Sequence, residues 1–284
     1  MEIGSAVHSH VDPVLPPELE RLIFEDCALS HPISIPTFML VARRVKTWTE
    51  PLLFRTICVT DTPPSYTPNN FHHFTMDILL REIQKRPASF FESAVKHLFI
   101  GEIADFHSSQ YIPGVQTLLA TFRGITALFA SCHHFQYLPV LEAVPLQTLA
   151  IDLNSLFAFG KTPLDFLHPV FRNVTHLQVL SGLSRPTKEW AGIKNMPQLT
   201  HFAFTNPNER QMVIPALLGC SQLECCVLLC PLGVNGAFWL PDDVRFVAMS
   251  RPDDCGDWLR GITTEDDYWK RAEAVIAARR AELR

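Results

Sequence analysis

Apolar residues recur along this chain with one spacing, apolar-x-x-apolar-x-apolar, at Val95/Leu98/Ile100, Ile125/Leu128/Ala130, Leu146/Leu149/Ile151, Val174/Leu177/Val179, Leu199/Phe202/Phe204, Leu223/Cys226/Leu228 and Val244/Val247/Met249. The starts of these seven copies lie 30, 21, 28, 25, 24 and 21 residues apart. Alternation within each copy predicts a strand with one face against a core. Phe54, Ile57 and Val59 repeat the spacing and suggest an opening strand. Helical spacing fills the intervals, near Phe71–Arg86, Pro113–Phe122, Phe135–Val144, Leu164–Phe171, Trp190–Lys194 and Arg210–Cys220. Strand-helix units too short to fold alone predict an α/β solenoid, with parallel strands on a concave face and helices outside.

Outside the repeats the pattern changes. The first residues are polar and predict a disordered N-terminus over 1–14. LPPELERLIFEDC then sets Leu19, Leu22, Ile23 and Cys27 at helical spacing, with Glu18, Glu20, Arg21 and Glu25 toward water. TFMLVARRVKTW predicts a second helix carrying Phe38, Val41, Val45 and Trp48 on one side, and DTPPSYTPNN over 61–70 a proline-rich loop. The ending TTEDDYWKRAEAVIAARRAELR predicts one capped helix over 261–284. Thr264 and Asp267 make its capping box, and Trp269, Ala272 and Ile276 form a stripe that closes the open end of the stack.

The repeat length and the segment LQTLAIDLNSL, which fits LxxLxLxxNxL through Asn154 and Leu156, resemble leucine-rich repeats. That resemblance implies that the Asn154 side chain satisfies backbone groups at the turn after its strand, and that the array builds a binding surface rather than a catalytic pocket.

LPPELERLIF (15–24), LVARRVKTW (40–48) and PLLFRTI (51–57) resemble an F-box, with an LP-x-E-L opening, a basic and aromatic second helix and a short third element. The layout, including DYWKRAEAVIAARR, is similar to F-box/leucine-rich-repeat-like proteins of mushroom-forming fungi. The resemblance implies a helical head over 15–57 and a solenoid over 58–260. It further implies that Leu15, Pro16, Leu19, Leu22, Ile23, Val41, Val45 and Trp48 dock a Skp1-like adaptor and, through it, a cullin of a ubiquitin ligase.

Within the strands, the positions between the apolar ones point to the concave face. They make His97, Phe99, Phe129, Thr148, His176, Gln178, His201 and Phe246 the candidate contacts for a protein target, with Phe99 and Phe129 as cross-strand neighbours. The alternative is a face covered by the chain's own tail, for example by Trp258.

Composition narrows the chemistry. The net charge of -5 supplies no general attraction to nucleic acid. The opening residues lack the basic and apolar regions of a secretory signal, and no apolar run reaches a membrane span, which predicts a cytoplasmic or nuclear protein. Eight cysteines without regular spacing suggest reduced, buried side chains. His176 and His201 align on consecutive strands but are too few for a metal, as are Cys132/His133/His134 and His72/His73. No phosphate loop, GxSxG elbow, HExxH helix or Cys/His pair is present, so neither cofactor nor catalysis is expected. The reading is therefore a substrate-recognition subunit of a cullin-RING ubiquitin ligase. Its alternatives are a plain repeat scaffold whose first helices cap the stack, and a degenerate enzyme or ligand-binding solenoid.

Overall fold

The computed structural model describes residues 15–60, 72–101, 111–131, 138–157, 162–180, 186–205, 210–231, 240–251, 253–264 and 266–283. Helices α1 (Pro17–Ser30), α2 (Ile35–Phe38) and α3 (Arg43–Leu53) precede strands β1 (Thr56–Val59) and β2 (His73–Phe74). Helices α4 (Met76–Lys85) and α5 (Ala88–Ala94) lead to β3 (His97–Ile100), α6 (Tyr111–Thr121) and β4 (Ala127–Ala130). The alternation continues through α7 (Leu138–Leu141), β5 (Thr148–Ile151), α8 (Leu153–Leu156), β6 (His176–Val179), α9 (Thr187–Trp190) and β7 (His201–Phe204). It ends with α10 (Arg210–Leu218), β8 (Cys225–Cys230), β9 (Phe246–Ser250), α11 (Asp254–Thr264) and α12 (Tyr268–Glu282).

The nine strands make one parallel sheet in the order β2-β1-β3-β4-β5-β6-β7-β8-β9. From β3 to β8 each strand pairs with the next in step. His97, Ala127, Thr148, His176, His201 and Cys225 form one row, and Phe99, Phe129, Ala150, Gln178, Ala203 and Val227 a second on the same face. The opposite face carries Leu98, Leu128, Leu149, Leu177, Phe202 and Cys226, all buried in the main core with Val115, Trp190 and Leu217 of the connecting helices and Phe122 just after α6. Each such side chain contributes about 1.5 to 3 kcal/mol on leaving water, which is why the apolar spacing sets the strand positions. Threonines just before three strands add a polar seam: Thr126 Oγ1 donates to the Lys96 carbonyl (3.3 Å), Thr175 Oγ1 to Gln147 (3.1 Å) and Thr200 Oγ1 to Thr175 (3.2 Å).

Several expectations are corrected. The second predicted helix is two, because Ala42 is extended (φ -159°, ψ 157°) between α2 and α3. Residues 73–74 form a strand on the outer edge of β1, and the helix expected from Phe71 begins after the Thr75 cap. Between Leu164 and Phe171 only a 3-10 turn forms, over Pro169–Phe171. At the turn after β5, Asp152 Oδ1 accepts from the Asn154 N–H (2.9 Å), a contact not expected from sequence, and Asn154 lies in α8. The single C-terminal helix is also two: the Thr264 hydroxyl donates back to the Arg260 carbonyl (2.9 Å) in α11, and Asp267 alone caps α12 at the Lys270 N–H (2.9 Å). The boundaries at 57/58 and 260/261 therefore fall inside β1 and α11.

The last strand departs from the repeat. Phe246 pairs with Cys226, one residue out of step with the other copies. A one-residue shift exchanges the two faces of a strand. Phe246 consequently lies in the main core, 1% exposed, while Val247 joins the inner-face cluster. The expected loop over 61–70 lies outside the described residues, as do the whole of the expected tail over 1–14 and the start of the helix expected at Phe135.

Candidate functional site

Two surfaces follow from this arrangement. In the helical head, Ala28, Ile35, Val45 and Thr49 are buried, and Phe24 meets Phe38 edge to face at 6.0 Å. Arg44 donates through Nε and Nη2 to both carboxylate oxygens of Glu20, each at 2.8 Å, tying α3 to α1. This pairing holds the Glu20 carboxyl below its ordinary range. Toward the sheet, Glu50 pairs with Arg86 at 2.8 Å and the Arg86 guanidinium lies over the Phe54 ring at 4.9 Å.

With Glu20 turned inward, the apolar stripe of α1 faces solvent. Leu15, Leu19, Leu22 and Ile23 are 43 to 62% exposed, and Pro16 is exposed beside them. The bend between α2 and α3 adds Leu40 (86%) and Val41 (60%). Eight of the thirteen exposed large hydrophobics among the described residues lie between Leu15 and Val41, the others being scattered. Leu29, Ile33 and Leu40 are also exposed and were not singled out from sequence, Leu29 lying on a separate cleft with Ile35, Leu52 and Ile262. Their signal was an apolar excess too large for one short helix pair. Of the expected adaptor contacts, Val45 is corrected: it is fully buried inside the head, because its side of α3 packs against α1. Trp48 is half-buried.

The second surface is the inner face of the sheet, for which an aromatic contact with a target and a cover by the chain's own tail were both open. It is covered, and by Trp258 among others. Leu259 and Trp258 of α11 pack with Cys58, Phe99, Phe129 and Ala150. Tyr268, Trp269, Ala272 and Ile276 of α12 pack with Ala203, Cys225, Val227, Leu229 and Val247. The stripe on α12 thus lies over the sheet rather than over the end of the stack. Phe99, Phe129, Gln178 and His201 are 2 to 6% exposed; together with Phe246 they are withdrawn from any partner in this state. Thr148, His97 and His176 remain partly exposed.

The cover is held by a buried carboxylate. Asp257 Oδ1 accepts from Arg260 (2.8 Å) and Arg271 (2.7 Å), and its Oδ2 accepts from the Tyr268 N–H (2.9 Å), joining α11 to the first turn of α12. Tyr268 Oη donates to Gln178 Oε1 at 3.1 Å, and Arg279 donates to the Phe246 carbonyl at 2.7 Å. Sequence reading missed α11, whose Trp258, Leu259 and Ile262 have helical spacing behind an Asp253 cap (Gly256 N–H to Oδ2, 2.9 Å).

His176 and His201 stack at 4.1 Å with planes 12° apart, and Trp269 meets both edge-on. Burial pushes His176 down to about 3 and His97 to about 4. Burial also lowers His201, against the opposing pull of Glu273, which lies 3.0 Å from Nε2. No group of three or more His, Cys, Asp or Glu side chains among the described residues is arranged to hold a metal ion. Cys58, Cys220, Cys225, Cys226 and Cys230 are unbridged and buried, and Cys27 is unbridged and half-buried; the side chains of Cys132 and Cys255 lie outside the description. No helix among the described residues is long and apolar enough to cross a membrane. No family model matches the chain, and no curated protein matches it.

Proposed function

We propose that this chain is an F-box/leucine-rich-repeat-like substrate receptor, its head docking a Skp1-like adaptor of a cullin-RING ubiquitin ligase and its repeat body holding a target protein. The observation that carries the reading is the outward apolar stripe of α1. A helix that merely capped the first repeat would turn Leu19, Leu22 and Ile23 toward the sheet, yet all three face solvent while α3 makes the contact with α5. A concentrated apolar surface on a small rigid unit is suited to a permanent partner. The mechanism is proximity: holding adaptor and target on one body raises the effective concentration of the ubiquitin-loaded enzyme near target lysines, and needs no acid, base or nucleophile. With the inner rows covered, the target is held by parts of the repeat body other than Phe99, Phe129, Gln178, His201 and Phe246.

Co-purification with a Skp1-like adaptor tests this. Wild type should form a complex. Leu19→Asp and Ile23→Asp should not, while their circular dichroism matches wild type. Failure of the wild type to bind would favour the scaffold reading.

A further inference from the structure

The inner face is covered at both ends and open in the middle. Between α11 and α12 a cleft of about 440 Å³ reaches the sheet at Ala127, Thr148, Ala150, His176 and Gln178, walled by Trp258, Tyr268 and Trp269. The hollow is a matter of side-chain size. Ala150 carries a single methyl group in the row that holds Phe129 one strand away and Phe99 two strands away, and Ala127 is equally small in the neighbouring row.

The floor is polar, uncharged and incompletely bonded. Gln178 lines the cleft; it accepts at Oε1 from Tyr268, and its amide NH2 meets no protein partner among the described residues but is not sealed from the cleft's solvent. The Thr175 hydroxyl spends its proton on the Gln147 carbonyl (3.1 Å). His176 Nδ1–H therefore donates to Thr175 Oγ1 (2.9 Å), which leaves Nε2 an acceptor with no partner among the described residues. The Trp258 indole N–H in the wall is buried and has no hydrogen-bond partner among the described residues. Nearby charges are already engaged: Asp257 by Arg260 and Arg271, Asp267 at the start of α12, and Glu273 by His201 and Lys270.

Residues 176 and 178 point to the same face about 6.6 Å apart along the strand. A donor from one and an acceptor from the other on the same face complement the carbonyl and N–H of a single amide. We propose that this cleft binds an uncharged planar molecule bearing an amide or lactam, its carbonyl on the Gln178 amide, its N–H on His176 Nε2, and its ring between Trp258 and Trp269. A carboxylate would face the His176 lone pair, and an ammonium the Gln178 donors. This inference goes beyond the docking reading and does not depend on it.

The test uses the full chain, titrated with naphthamide, naphthoate and naphthalene, while the indole N–H signals are followed by NMR. Naphthamide should shift the Trp258 and Trp269 signals saturably and bind about tenfold or more tighter than either analogue. Gln178→Met and Ala150→Leu should each weaken it about tenfold, with Trp48 and Trp190 signals unmoved as proof of folding; should one variant misfold, the other decides. Absence of naphthamide binding at its solubility limit would overturn the proposal. Equal binding of naphthoate or naphthalene, or unchanged affinity in a folded variant, would do the same.

Discussion

Phe99 and Phe129 stack face to face on neighbouring strands, their centroids 4.5 Å apart and their planes 15° from parallel, with Trp258 of α11 against Phe99 at 5.5 Å. The pair is an internal anchor for the C-terminal helices. Phe99→Ala should therefore cost about 3 to 5 kcal/mol, the range for an aromatic removed from a core. A urea midpoint measures it; a loss under about 1 kcal/mol would mean that the inner face is open.

Asp257 holds the cover together from a site 1% exposed. Asp257→Ala leaves the Tyr268 N–H without its acceptor and two guanidinium groups without their partner, and should cost about 3 kcal/mol. Arg271→Ala, on a side chain 39% exposed, should cost about 1 kcal/mol or less. Near-ultraviolet circular dichroism of Trp258 and Trp269 should weaken in the first variant and persist in the second.

Acid should destabilise the fold through histidines. His176, at about 3, and His97, at about 4, both lie below the ordinary 6.5, so the unfolded chain binds protons first as pH falls. The stability they contribute is complete above about 6.5 and is lost progressively toward their folded values, by up to about 1.4 kcal/mol per pH unit for each. His201 adds in the same direction; Asp267, pushed up by burial, opposes. The carboxylates held low by Arg and Lys partners, Glu82 and Asp243, act only below their ordinary 4.5 and 3.8. Urea midpoints from pH 7 to pH 5 should fall in wild type and flatten in His97→Gln and His176→Gln. A flat wild-type curve would contradict the burial of these rings.

The head offers a contrast between neighbours in sequence. Leu22→Ser, at a position 62% exposed, should change stability by no more than about 0.5 kcal/mol. Val45→Ala, fully buried, should cost about 2 kcal/mol. Thermal melts of the two variants distinguish the outward from the inward side.

Much of the repeat body was legible because the same physics wrote each unit: every expected strand formed, since leucine-type residues at that spacing can reach only one face. The last strand was misread because both of its faces are apolar, Phe246 and Ala248 as well as Val247 and Met249, and α12, lying on Val247, accompanies the register that turns Phe246 into the main core. Helix α11 was hidden by Gly256 and Gly261, which lower helix propensity; Gly261 is needed because a Cβ there would meet Asp267 Oδ2 at 2.6 Å. The stripe on α1 was legible from its spacing, whereas its outward direction was expected only through the F-box resemblance. Periodicity shows that a face is apolar, not whether the chain itself covers it, and here the Glu20–Arg44 pair turns that face outward.

The docking claim is tested most directly by calorimetric titration of a purified Skp1-like adaptor into the full chain, wild type beside Leu22→Asp, whose exposed position spares the fold. The account predicts one-to-one binding by wild type and a loss of about tenfold or more in the variant. No binding by wild type, or equal affinity in both, would contradict it.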